Sequence, residues 1–259
     1  MATLLEVRRG DLVLRRSGDA PTGDKLVDRA FDNLVRIDRF LRTELGRDGW
    51  DGKGSPLRAD LAGLKNRNAT FSTATGTIVL GLRPSVPLGV GSLGFSPTIM
   101  GHEVGHGIQI ALGKYSYENH EMSAIAESFG DVMGTGADDS NWVVGDEIPG
   151  GEPALGEDLR DLAKPPYKTL QEIPESGARS EGYSQLLSYA AVLVAEKVGN
   201  PAMRKLWFEG MKRMPDDPTK HGFEAWVKAV QRAAVDLHGK GSPAEAAVLA
   251  AFKAVGVLR

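Results

Sequence analysis

Five consecutive residues, His102-Glu103-Val104-Gly105-His106, constrain this chain more than any other feature. Side chains at i and i+4 of a helix lie one above the other, so a helix here aims both imidazoles at one point. H-E-x-x-H on a helix is a zinc-binding pattern in which the intervening glutamate can act as general base toward water. The motif has support downstream. Glu127 opens the run Glu127-Ser128-Phe129-Gly130-Asp131, where a second apolar helical pattern can supply a third ligand and a carboxylate one turn on. Because the chain has no cysteine, disulfides are excluded and a zinc site must be built from histidine and carboxylate.

With 259 residues the chain can bury a large core, as one long domain or as two lobes sharing a cleft. The formal charge of −3 and the lack of a basic block point away from a nucleic-acid partner. No apolar run approaches the roughly 18 residues of a membrane span, so no membrane partner is expected. Glu6, Arg8 and Arg9 place charge where an export signal needs an apolar core. The expectation is a soluble protein with no readable signal peptide, either cytoplasmic or secreted by a non-standard route. Oligomeric state has no signature in the sequence.

Residues 4–7 and 12–15 flank Arg-Arg-Gly10-Asp11 and predict a short hairpin. Between residues 25 and 45, apolar positions from Leu26 to Leu45 recur at helical spacing and end in a glycine-rich turn, residues 46–54. Residues 75–82 read as a strand. A Gly/Pro/Ser stretch, residues 84–97, leads into the H-E-x-x-H helix over about 98–112, and a second helix covers about 121–134. Residues 136–182 read mainly as loops with a short helical turn around Leu159. Three or four amphipathic helices follow, over 184–198, 201–211, 223–237 and 242–255, with Pro201 and Pro243 in first turns and Gly199 as a stop. The predicted class is α+β. A mixed α/β N-terminal lobe, residues 1–113, ends in the zinc helix at the junction with a mostly helical lobe, residues 114–259.

These residues resemble the thermolysin-like neutral zinc metallopeptidases. Phe40-Leu41 with the Gly46–Gly54 loop is similar to the family's N-terminal helix and loop. Tyr117-Glu118-Asn119 and Ala124-Ile125-Ala126-Glu127-Ser128-Phe129-Gly130-Asp131 resemble the segment that carries its third ligand. Trp142-Val143-Val144-Gly145-Asp146-Glu147 and Leu159-Arg160 resemble two later signatures. The likeness covers residues 32–198. It implies one zinc per chain on His102, His106 and Glu127, with Glu103 as general base. It also implies that Asp131 accepts a ring N–H from a ligand histidine, that Tyr117 steadies the oxyanion and that Arg160 holds a substrate carbonyl. Leu93, Ile99, Val144 and Leu159 would line an apolar primed-side pocket. The partner implied is a peptide or protein substrate, laid as an added strand along residues 68–71 and cut on the amino side of apolar residues.

Two departures stand out. The family's proton-donating histidine has no counterpart, since the corresponding run is Glu181-Gly182-Tyr183-Ser184-Gln185-Leu186 and no histidine lies between His120 and His221. Either Glu181 or Tyr183, on a loop spanning 175–185, is the replacement, or turnover is slower by part of the roughly 10²–10⁴-fold that such assistance contributes. Thr98, Asn141 and Val143 stand where the family has acidic calcium ligands, leaving Asp138, Asp146 and Glu147, so calcium is not expected. Alternative readings are a weak or inactive zinc-binding protein of the same fold acting as a regulatory module, and a narrow-specificity toxin or effector protease.

Overall fold

The computed structural model describes residues 3–62, 68–81, 93–146, 148, 160–174 and 179–258. The chain divides into two compact units. One comprises Met1–Ala111 with Met133–Arg160, the other Leu112–Val132 with Asp161–Arg259.

In the first unit, β1 (Leu5–Arg9) and β2 (Leu12–Arg16) form the expected hairpin, turned by Gly10 at φ 60°. A helix, α1 (Lys25–Thr43), then carries the chain from β2 to β3 (Leu57–Asp60), which lies parallel beside β1. Parallel pairing requires such a crossover. The last two strands, β4 (Ala69–Ser72) and β5 (Thr77–Leu80), complete a five-stranded sheet of order β2-β1-β3-β5-β4. Val7, Ala59 and Ile78 pair across β1, β3 and β5, so they share one face. All three are fully buried. Helix α1 packs on β1, β2 and β3, burying Leu34, Ile37 and Leu41. Its N-terminus is capped by the Asp24 carboxylate, which accepts from the backbone N–H groups of Leu26 and Val27. Strand β3 was not foreseen: Leu-Arg-Ala-Asp is too short and too polar to announce a strand, and only the pairing with β1 and β5 buries Leu57 and Ala59.

The H-E-x-x-H segment folds as α2 (Pro97–Ala111), and every residue from Pro97 through Gln109 is buried. A helix covered on all sides needs close neighbours, and its glycines admit them. The Phe71 ring of β4 lies where a Cβ on Gly107 would go. A Cβ on Gly134, which ends α3 (His120–Gly134), would sit 2.5 Å from the Thr98 carbonyl oxygen. Helix α3 starts in the second unit and is unbroken through Met133 and Gly134, which belong to the first.

The second unit is helical, with α4 (Arg179–Val198), α5 (Asn200–Lys212), α6 (Phe223–His238) and α7 (Pro243–Ala254). Each packs on its neighbours, and α4 also packs on α7. Trp207 of α5 meets Trp226 of α6 edge-on at 6.0 Å and stacks on Phe252 of α7 at 5.9 Å. Pro201 and Pro243 lie in first turns as expected, and Ser242 caps α7 by accepting from the Glu245 N–H. One boundary differs from expectation. Helix α4 begins at Arg179, so Glu181 and Tyr183 are in its first turn and not on a loop. The Gly182 in that turn packs against Ile173 and Tyr167, contacts made through tertiary structure that local pattern does not encode. Residues 136–182 are not loop throughout: β6 (Val143–Val144) pairs with β7 (Arg160–Asp161). The turn expected around Leu159 lies outside the described residues, and so does Leu159 itself.

Candidate active site

Helix α2 carries out the geometric promise of its motif. The His102 and His106 rings stand one turn apart with centroids 4.6 Å from each other and planes at 90°. Both are buried, as is Glu103 between them. Buried polar groups on an otherwise covered helix need partners. For His106 one partner is Gln109, whose Oε1 lies 3.1 Å from Nδ1. With Nδ1–H donating to that amide oxygen, Nε2 is the ring nitrogen that carries the lone pair a metal would take, the arrangement that orients metal-ligating histidines.

The third donor comes from α3, whose start is fixed by Asn119, the Oδ1 of which accepts from the Met122 N–H at 2.9 Å. His102, His106 and Glu127 each offer one ligand atom, and these atoms all lie within 4.8 Å of one another. Tetrahedral zinc with nitrogen and oxygen ligands at about 2.0–2.2 Å places its donors about 3.5 Å apart, so modest side-chain rotation closes the set. Two imidazoles and a carboxylate, with no thiolate, fit zinc in the form that leaves a fourth position open.

Around these donors the sequence-predicted residues fall as follows. Asp131 is one turn beyond Glu127 on α3, almost fully buried, and accepts from Ser188 Oγ at 3.4 Å. Ser188, on α4, also bonds Ser128 at 3.2 Å. The Tyr117 hydroxyl donates to Glu127 Oε1. Desolvation of the hydroxyl, reinforced by the Glu127 charge, pushes the Tyr117 phenol well above its ordinary pKa. Val144 and Arg160 are on the paired strands β6 and β7. Leu93 lies in a single 3-10 turn, Leu93–Phe95, and Ile99 in the first turn of α2; Leu93, Ile99 and Val144 are all buried. Glu181 is exposed and accepts from Gln185 at 3.2 Å, while Tyr183 rests edge-on against Phe223 at 5.3 Å.

Gln109 and Ser188 were missed by sequence reasoning. Gln109 had a usable signal, because it stands three residues beyond His106 on one helix. Ser188 had none, being far along the chain on another element. A concavity on the helical unit, lined by Arg213, Lys228 and Arg232 among others, holds none of the candidate ligands. Its cations are committed to carboxylates: Arg213 and Arg232 to Asp236, Lys228 to Glu224.

The region from Lys114 through the helical bundle matches a known family. The model of the thermolysin metallopeptidase α-helical domain covers residues 114–257. The chain belongs to the thermolysin family. Thermolysin-family relatives include neutral protease B of Bacillus subtilis, 26% identical over 93% of this chain and 47% of its own length. Bacillolysin of Bacillus amyloliquefaciens is 26% identical over 88% of this chain and 44% of its own length. The chain thus spans less than half the length of these relatives. The fold is also that of the precursor of protealysin, a metalloproteinase from Serratia proteamaculans. That structure superposes with a TM-score of 0.82 at 20% identity, covering 98% of this chain and 88% of its own. Among the described residues no helix is long and apolar enough to cross a membrane.

Proposed function

We propose that this thermolysin-family chain is a zinc-dependent endopeptidase that hydrolyses peptide bonds on the amino side of apolar residues. The observation that carries the reading is the convergence of His102, His106 and Glu127, whose donor atoms all lie within 4.8 Å. Bound zinc would supply Lewis acidity, polarising the scissile carbonyl and making water a stronger acid. Glu103 takes the proton from the attacking water and delivers it to the leaving nitrogen. Asp131, held by Ser188, orients a ligand histidine. Tyr117 turns from Glu127 to donate to the oxyanion, and Tyr183 or Glu181, on the first turn of α4, is the additional donor. Arg160 holds a substrate carbonyl, and Leu93, Ile99, Val144 and Leu159 receive the apolar side chain that follows the cut. The substrate adds as a strand along β4, which is the edge of its sheet.

Calcium has no part in this reading. Thr98 Oγ1 accepts from the Gly145 N–H at 2.9 Å. The Asn141 amide donates to Asp146 Oδ2 at 2.6 Å, and Asn141 Oδ1 accepts from the Val143 N–H at 2.7 Å. Among the described residues, these oxygens already accept N–H groups, which supports the expectation that calcium is not held here. Millimolar calcium should leave the melting temperature unchanged; a steep rise would refute this.

The deciding experiment presents a random peptide library to zinc-loaded wild type and to Glu103→Gln. Wild type should bind about one zinc and cut before Leu, Ile or Phe. The variant should keep zinc and lose roughly 10²–10⁴-fold in rate. Zinc bound without turnover in wild type would select the binding-module reading, and near-normal cleavage by Glu103→Gln would reject the mechanism.

A further inference from the structure

The segment leading into α3 alternates in burial. Lys114 is 7% exposed and Ser116 9%, whereas Tyr115 is 39% and Tyr117 43% exposed. That is the period of two of an extended backbone, so the two tyrosines project from one side and Lys114 and Ser116 from the other. The inward pair is anchored. Lys114 makes an ion pair with Asp216, and Ser116 Oγ lies 3.3 Å from Met122 Sδ. The outward pair is packed together, with ring centroids 4.9 Å apart and planes at 47°. Since the Tyr117 hydroxyl is on Glu127, the Tyr115 ring packs against the residue that reaches this candidate ligand.

We infer that Tyr115, backed by Tyr117, is a specificity-determining residue that receives a bulky apolar or aromatic side chain of the peptide close to its scissile bond. This rests on the peptidase reading given above. Alternate residues of an extended chain are about 6.6 Å apart, in the segment and in an extended substrate alike. With Tyr117 at the metal end, Tyr115 is therefore one such step away, within reach of a side chain one or two residues from the bond that is cut. An exposed pair of phenol rings offers such a side chain apolar faces and edge-to-face contact.

The test measures binding and turnover separately. Fluorescently labelled peptides carry Phe, Leu, Ala or Asp at each of the two positions on either side of the bond. Their affinities are measured on zinc-loaded Glu103→Gln protein, which should bind without cutting, and kcat/KM on protein with Glu103 intact. In both backgrounds Tyr115→Ala should lower the Phe-over-Ala ratio at one position by about 3- to 10-fold, through KM and not kcat. Tyr115→Phe should retain the preference. Because Tyr115 is exposed, the variant should fold, as zinc content and circular dichroism report; Tyr115→Leu serves if it does not. A ratio unchanged at every position overturns the inference, as does an equal fall for all peptides or an equal loss in Tyr115→Phe. If intact protein cuts nothing, the peptidase reading fails, while the affinities on the Glu103→Gln protein still decide whether Tyr115 selects the side chain.

Discussion

Helices α2 and α6 are of nearly equal length, 15 and 16 residues, and they are built for opposite purposes. Helix α2 is covered on every face from Pro97 to Gln109, with glycines where Phe71 and the end of α3 press against it. Helix α6 buries one stripe, Phe223, Trp226, Val227, Val230, Ala233 and Ala234, and turns ion pairs such as Lys228 with Glu224 to water. Amphipathic α6 follows the rule for a helix that earns its place by packing. Burial of His102, Glu103 and His106 lowers the local dielectric, so each polar partner around them carries more weight. The comparison teaches that stability and chemistry in this chain are written on different helices, and substitutions should separate them.

The largest effect on stability is expected at Trp207, which is fully buried between Trp226 and Phe252. Trp207→Ala should cost about 3–5 kcal/mol, visible as a large fall in the denaturant midpoint. A loss below about 1 kcal/mol would show that the aromatic cluster does not hold the bundle. On α2, Gly107→Ala places a methyl against the Phe71 ring and should cost about 1–3 kcal/mol by overpacking. Its Ala has the better helix propensity, so a variant more stable than wild type would mean that Phe71 moves aside freely and that α2 is less tightly enclosed than argued.

The smallest expected effect is electrostatic and lies on α5. Burial alone would raise the pKa of Glu209, but hydrogen bonds from Arg213 and Lys212 outweigh it and hold the carboxyl below the usual range. A depressed folded-state pKa contributes stability that is present above the unfolded value, about 4.3, and disappears as pH falls through the folded value. Glu209→Gln should therefore cost about 1 kcal/mol near pH 7. The difference from wild type should vanish in acid below the usual carboxylate range. A cost that is the same at neutral and strongly acidic pH would assign Glu209 a packing role instead.

Much of this was legible before any coordinates. The hairpin, α1, α3 and the later helices follow from apolar spacing that their own sequences already mark, and α2 from its H-E-x-x-H motif. His102 and His106 were legible for the same reason, since i and i+4 on one helix fix their relation without tertiary help. Strand β3 was not, because its partners are distant in sequence and its four residues carry little pattern. The start of α4 was placed late because Gly182 near its beginning argues locally for a loop, and the contacts with Ile173 and Tyr167 override that argument.

The sequence by itself determined which residue types could meet a metal, and it placed two of the three on one helical face. Only the tertiary structure decided that Glu127 reaches them, that Ser188 bonds Asp131, and that Tyr115 stands on the same surface as Tyr117. The physical reason is range. Helical spacing fixes geometry over one or two turns, whereas the approach of the end of α3 to α2 depends on glycine at 101 and 134, where no side chain stands in the way.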